Sequence, residues 1–113
     1  MEQQSTRQLK VSRQIERDLS EIFRERALGN YQGALISVTS VKITPDLSLA
    51  RVFLSIFPSN KAEEVFKLIE ESSKSIRGEL GRRVSKQLRI VPQLLFHLDD
   101  SLDYIEKIDK LLK

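Results

Sequence analysis

The sequence predicts an α+β domain, a small three-stranded sheet with helices packed on one face. Three observations predict it. Apolar residues recur every three or four positions over 7–27 and again over 61–87, the period of helices with one buried face. Between these stretches, 34–43 and 49–57 are rich in β-branched and aromatic residues and flank a Pro-Asp turn, the pattern of a hairpin. Pro92 then forbids further helix and opens a third strand-like run. The predicted order is helix, strand, strand, helix, kink, helix, strand, helix.

A chain of 113 residues is expected to form one domain over 1–113, burying roughly two-thirds of its unfolded surface. It contains no cysteine, which excludes Cys-based zinc sites, thiol catalysis and disulfides. The polar start MEQQSTRQLK predicts no secretory signal, and no run approaches the ~20 apolar residues of a membrane span. A cytoplasmic monomer with no membrane partner is the expectation. The 19 Lys and Arg outnumber the 16 Asp and Glu, a net charge of +3. The bases concentrate in 7–26 and 74–89 and the acids in 60–71 and 99–109. Such segregation makes a one-sided field suited to a polyanion.

Residues 1–6 are polar and expected to fray. In the first helix, 7–27, Val11, Ile15, Leu19, Ile22 and Phe23 share one face. Lys10, Arg13, Arg17 and Arg24 form a narrow ridge on the opposite side. That ridge reads either as a solvated face with local pairs to Asp18, Glu21 and Glu25 or as a binding surface. Gly29 is the expected helix stop. Tyr31 reads as a loop anchor, with stacking on a base the alternative. In the first strand, Ala34 to Ile43, the alternation breaks at Thr39-Ser40, predicting a bulge. Thr44-Pro45-Asp46-Leu47 is a turn. In the second strand, Leu49 to Phe57, Ala50, Val52, Leu54 and Ile56 share one face. Phe53 and Phe57 on the other resemble a stacking platform, against the reading that they cover a core edge or pack beside the first helix.

Asn60 with Glu63 predicts an N-cap and its box partner for a second helix from Lys61 to about Ser75. Ser72, Ser73 and Ser75 predict a kink or break. A third helix follows from about Ile76 to Gln87, and the last strand from about Arg89 to Leu98. Ser101 caps a short final helix, 101–113, with Leu102, Ile105, Ile108 and Leu111 or Leu112 in line.

Enzymatic chemistry finds little support. His97 and Asp99 spell His-x-Asp, but two ligands are too few for a metal site. The structural reading is a packed histidine bonded to the acidic turn Asp99-Asp100-Ser101. No phosphate-binding Gly-rich loop or nucleophile elbow is present. No enzyme activity, cofactor or metal is expected. Gly78-Glu79-Leu80-Gly81 spells the G-x-x-G with which KH domains clamp a nucleic-acid backbone. Leu80 is in register with Ile76 and Val84, however, so the segment reads as helix interior whose glycines permit close packing.

The third helix is where charge is densest. Lys74, Arg77, Arg82, Arg83, Lys86 and Arg89 surround the stripe Ile76, Leu80, Val84, Leu88, against the one acid Glu79. A basic helix running into a buried strand is a rigid mount for cations.

Three blocks resemble the ribosome-binding factor A family. The first is Arg7-x-x-Lys10-Val11-Ser12 leading into Ile15-x-Arg17-Asp18-Leu19-Ser20. The second is Val38-Thr39-Ser40-Val41-x-x-Thr44-Pro45-Asp46-Leu47-Ser48-x-Ala50-x-Val52. The third is Ile76-Arg77-x-Glu79-Leu80-Gly81-x-Arg83-Val84, then Leu88-Arg89-x-x-Pro92-x-Leu94-x-Phe96-His97-x-Asp99-Asp100-Ser101. The resemblance implies a KH-like fold of the second type and a non-enzymatic, RNA-binding assembly factor. Its implied partner is 16S rRNA in the free or immature small ribosomal subunit, with roles in late maturation, 5′-end processing and growth in the cold. In the family an Ala-x-Gly kink replaces the G-x-x-G loop. By position it falls on Ser72-Ser73-Lys74, and Lys74 in place of glycine departs from the pattern. The long charged tail of some members has no counterpart, so tail contacts are not expected.

Ten residues are therefore the expected RNA contacts: Lys10, Arg13, Arg17, Arg24, Lys74, Arg77, Arg82, Arg83, Lys86 and Arg89. Some of these are expected to be structural instead, Arg77 and Arg89 first, because each adjoins core positions. The alternative from another class is a protein-interaction module docking on a ribosomal protein or an assembly GTPase.

Overall fold

The structure, a computed structural model, describes residues 5–88 and 91–99. The final helix expected over 101–113 lies outside them. The first helix, α1, spans Thr6–Asn30. It starts within the stretch expected to fray, because Ser5 caps it. Ser5 Oγ accepts from the Gln8 amide at 3.2 Å, and Gln8 Oε1 accepts from the Ser5 amide at 2.8 Å. Gln8 Nε2 also donates to the Ile43 carbonyl at 2.8 Å, fixing the helix start to a strand end. Val11, Ile15, Leu19, Ile22 and Phe23 are all buried, as their spacing predicts.

Gly29 does not stop the helix, which runs a further residue past it. The stop is set instead by burial of Tyr31, 1% exposed, whose ring packs 6.1 Å from that of Phe23. The chain reverses beyond it through Gln32 and Gly33, at φ 57° and 72°, and the Gly33 amide bonds back to the Ala27 carbonyl at 2.8 Å. The positive dihedrals that end a helix thus fall after Tyr31 and leave Gly29 helical. Tyr31 is the anchor of this corner.

Strands β1 (Leu35–Ile43) and β2 (Leu49–Phe57) form an antiparallel hairpin. The register shifts between Val38 and Ser40, so Thr39 is a bulge. The bulge resets the pleat and lets Val38 and Val41, an odd spacing apart, both face the core. In the connecting turn Leu47 takes φ 62°. Asp46 Oδ1 supports that conformation by accepting from Thr44 Oγ1, Ser48 Oγ and the Ser48 amide at 2.7, 2.8 and 3.1 Å. These bonds, that from Thr44 foremost, hold its carboxyl below the usual range.

A 3-10 turn, Ser59–Lys61, leads into α2, Ala62–Glu71. Asn60 lies inside that turn and does not cap; Lys61 holds the cap position with no side-chain bond. Helix α2 ends at Ser72, and α3 runs Ser73–Val84, starting and ending about a turn earlier than its apolar pattern predicts. The third strand, β3, is Gln93–Leu98. It begins after Pro92, not at Arg89, and pairs parallel with β2 in a sheet of order β1-β2-β3.

One core joins the sheet face of Ile36, Val38, Ala50, Val52, Leu54 and Phe96 to Val65 and Ile69 of α2 and to Ile76, Leu80 and Val84 of α3. The helices therefore share one face of the sheet. Among the described residues no helix is long and apolar enough to cross a membrane.

Candidate nucleic-acid interface

Helices α1 and α3 pack side by side, and the acids between them are consumed by two arginines. Arg83 reaches Glu21 at 3.0 Å, Glu25 at 2.7 Å and Glu79 at 3.1 Å. Arg26 reaches Glu79 at 2.8 Å and donates to Ser75 Oγ at 3.1 Å. The Arg26 bond is the main cause holding the Glu79 carboxyl below its ordinary range, opposed by desolvation and helped by Arg83. This junction corrects one expectation. Glu21 and Glu25 pair across to α3 and not locally along α1, while Asp18 accepts from Gln14 Nε2 at 2.7 Å. Arg83, one of the expected RNA contacts, is held by three carboxylates.

Arg26 did not stand out in the sequence, although a signal was there. It lies four residues after Ile22 and seven after Leu19, on the apolar side of α1, where a cation requires a partner.

The remaining cations are sorted by the same packing. Lys10, Arg13, Arg17 and Arg24 are exposed along α1, and Lys74, Arg82 and Lys86 along α3 and the turn after it. Among the described residues none of these seven makes an ion pair. Arg77 donates from Nε to the Pro92 carbonyl at 3.0 Å and from Nη2 to the Val91 carbonyl at 2.7 Å. It holds the lead into β3, as its place beside the core predicts, yet its acceptors there are neutral and it makes no ion pair among the described residues. Arg89 lies outside the described residues. Between α3 and this lead is a groove of ≈ 520 Å³ lined by Lys74, Arg77, Gly78, Gly81 and Val91.

Ser72, Ser73 and Lys74 lie at the junction of α2 and α3. Ser72 is the one non-helical residue of the three, at φ −94° and ψ 12°. The backbone of Lys74 is helical, and among the described residues only Gln32 and Leu47 are non-glycines at positive φ. The bend is thus made at Ser72 and needs no glycine at 74.

The far face of the sheet is different. Phe53 stacks on His97, ring centroids 5.0 Å apart and planes 21° from parallel, with Lys42 Nζ 5.6 Å from the Phe53 centroid. It therefore does not pack beside α1, which covers the other face. Phe57 is 64% exposed. His97 is held by stacking on Phe53; Asp100 and Ser101 of the expected acidic turn lie outside the described residues. Its Nε2 is buried without a partner among the described residues, while Asp99 Oδ2 accepts from Thr39 Oγ1 at 2.8 Å. No group of three His, Asp or Glu able to hold a metal occurs among the described residues.

A three-stranded sheet carrying its helices on one face, with a bend where two of them meet and an outward cationic surface, defines a KH-like α+β domain. Comparison with known proteins makes the class particular. The family model for Ribosome-binding factor A matches residues 7–112. Ribosome-binding factor A of Flavobacterium johnsoniae is 46% identical over 110 residues, covering 96% of this chain and 85% of that protein. The Staphylococcus carnosus protein of the same name is 36% identical over 105 residues, covering 92% and 89%. The chain belongs to the ribosome-binding factor A family. Its fold is similar to the crystal structure of ribosome-binding factor A from Thermus thermophilus, with TM-score 0.67 at 22% identity, covering 80% of this chain and 94% of that one. It is also similar to a homology model of the Thermus thermophilus protein fitted into a cryo-EM map of a 30S–RbfA complex, with TM-score 0.59 at 21% identity, covering 78% and 90%.

Proposed function

We propose that this chain is a non-enzymatic assembly factor that binds the free or immature small ribosomal subunit through 16S rRNA. The observation that carries this reading is the division of charge at the α1–α3 face. Arg26 and Arg83 absorb the neighbouring acids, so Lys10, Arg13, Arg17, Arg24, Lys74, Arg82 and Lys86 stand outward with no ion pair among the described residues. A rigid cationic face of this kind binds phosphate backbones and reads the shape of a folded RNA. Membership of the family, and the 30S complex of the Thermus thermophilus relative, support the small subunit as the target. We place its role in late maturation in the cytoplasm, including processing of the 16S 5′ end and growth in the cold.

Co-sedimentation with purified small subunits, whole ribosomes and bulk tRNA across a range of salt tests the reading. Selective, salt-sensitive association with small subunits is the expected result. Equal binding to all three would reduce the chain to a generic basic domain.

A second reading has an observation of its own. Leu35 and Phe57 are cross-strand partners on the far sheet face, 65% and 64% exposed. Such a pair favours docking on a ribosomal protein or an assembly GTPase. Association that persists at high salt, and is lost in Phe57→Ser, would support it.

A further inference from the structure

We propose that the groove between α3 and the segment leading into β3 seats a single ribose–phosphate strand of RNA, with Lys74 and Arg77 at its rim. This rests on the RNA-binding reading above and narrows it from a face to a place.

The two glycines of the groove have different explanations. A Cβ on Gly81 would lie 3.3 Å from Val91 Cγ2, so internal packing accounts for that glycine. Gly78 has no such account. A Cβ there would meet only the tip of Arg82, at 3.9 Å. In mid-helix each glycine costs about 1 kcal/mol against alanine, and among the described residues none occupies the space beside Gly78. That space is part of the groove and open to a ligand.

The chemistry around that space indicates what enters. Lys74 is exposed and has no ion-pair partner among the described residues. Arg77 spends Nε and Nη2 on neutral backbone carbonyls and makes no ion pair among the described residues. Glu79, the one acid of the stretch, is turned to the other side of α3 and held by Arg26 and Arg83. Gly78, Gly81 and Val91 supply the uncharged part of the lining, beside Lys74 and Arg77. Uncharged lining beside two cations suits a sugar with its phosphates met by Lys74 and Arg77. A groove open along one side admits a passing strand.

The test measures affinity for purified small subunits and for a protein-free 16S rRNA transcript across salt. Gly78→Leu fills the groove without altering charge, and Gly78→Gln does so with a polar side chain should the leucine variant fail to fold. Gly78→Ala leaves the groove open. The filled variants are expected to lose about tenfold or more in affinity on both targets, equivalent to ~1.4 kcal/mol, with the salt slope unchanged. Gly78→Ala should bind as the unmodified chain does. Lys74→Gln should reduce the slope by about 0.7–0.9.

A filled variant that is folded by circular dichroism yet binds normally overturns the groove and leaves the RNA reading intact. Loss on subunits but not on the transcript assigns the groove to a ribosomal protein and overturns the RNA strand. Salt-insensitive binding by the unmodified chain defeats the RNA reading itself, and the groove with it.

Discussion

The phenolic oxygen of Tyr31 lies 2.7 Å from Ser72 Oγ, joining the end of α1 to the bend between α2 and α3. Ser72 Oγ also lies 3.0 Å from the Leu68 carbonyl and 3.1 Å from that of Ile69. A hydroxyl has one proton, and here it is drawn to those carbonyls, so Tyr31 donates. Ser72 thus turns its hydroxyl back on the last turn of α2 and is locked there by the tyrosine. Tyr31→Phe should cost about 1 kcal/mol in urea unfolding and Ser72→Ala a similar amount. A double-mutant cycle should show the two to be coupled. Independent costs would mean that Tyr31 anchors the corner by ring packing alone.

The two adjacent arginines of α3 should behave as different residues. Arg82 is exposed and unpaired among the described residues, while Arg83 joins three carboxylates. Arg82→Ala should lower the salt slope of small-subunit binding by about 0.7–0.9. Its stability should stay within about 0.5 kcal/mol. Arg83→Ala leaves Glu21 and Glu25 facing Glu79 without their shared cation. It should destabilise by about 1 kcal/mol, a modest figure because the network is partly hydrated. Its effect on the salt slope should be smaller than that of Arg82→Ala. Matching binding and stability profiles for the two variants would refute the division of charge.

These cases mark how far the sequence could be read. Spacing alone identified the buried faces of α1 and β2, the Thr39 bulge and the bend near Ser72, because each rests on a local period or a break in one. The helix stop at Gly29, the Asn60 cap and a strand starting at Arg89 each follow from a local rule that a distant contact overrode. Tyr31 is buried against Phe23, a 3-10 turn takes in Asn60, and Arg77 holds Val91 and Pro92 out of the ladder. In the candidate site, residue type located the cations, but whether a given arginine faces solvent or a carboxylate depends on the neighbouring helix. Arg83 and Arg26 could be sorted only once α1 and α3 were seen together.

Acid should weaken the α1–α3 junction through Glu79. Its folded carboxyl is held below the ordinary range, chiefly by the bond from Arg26. A depressed carboxylate contributes stability that is fully present above its unfolded pKa, about 4.3. That contribution is lost as pH falls through the lower folded value. Native stability should therefore decline as pH drops below about 4.5, and Glu79→Gln should remove part of the decline while lowering stability at neutral pH. The affected part should be at most about 1 kcal/mol, since the pair is partly exposed. A Glu79→Gln variant whose pH profile parallels that of the unmodified chain would show that other carboxylates govern the acid limb.

The two glycines of α3 give the sharpest comparison of packing with propensity. Alanine at either position gains about 0.8–1 kcal/mol of helix propensity over glycine. At Gly78 the new methyl meets nothing nearer than Arg82 Nη1 at 3.9 Å among the described residues, so Gly78→Ala should realise that gain. At Gly81 it would press on Val91 Cγ2 at 3.3 Å. Val91 cannot readily retreat, because its carbonyl is held by Arg77 at 2.7 Å and the following residues enter β3. Crowding of this kind typically costs about 1–3 kcal/mol. Gly81→Ala should therefore be neutral or destabilising, and less stable than Gly78→Ala by at least about 1 kcal/mol in chemical denaturation. Arg77→Lys, which gives up the two carbonyl bonds, should narrow that difference by letting the Val91 segment move. Equal stability of the two alanine variants would show that α3 and the lead into β3 are not in contact at Gly81.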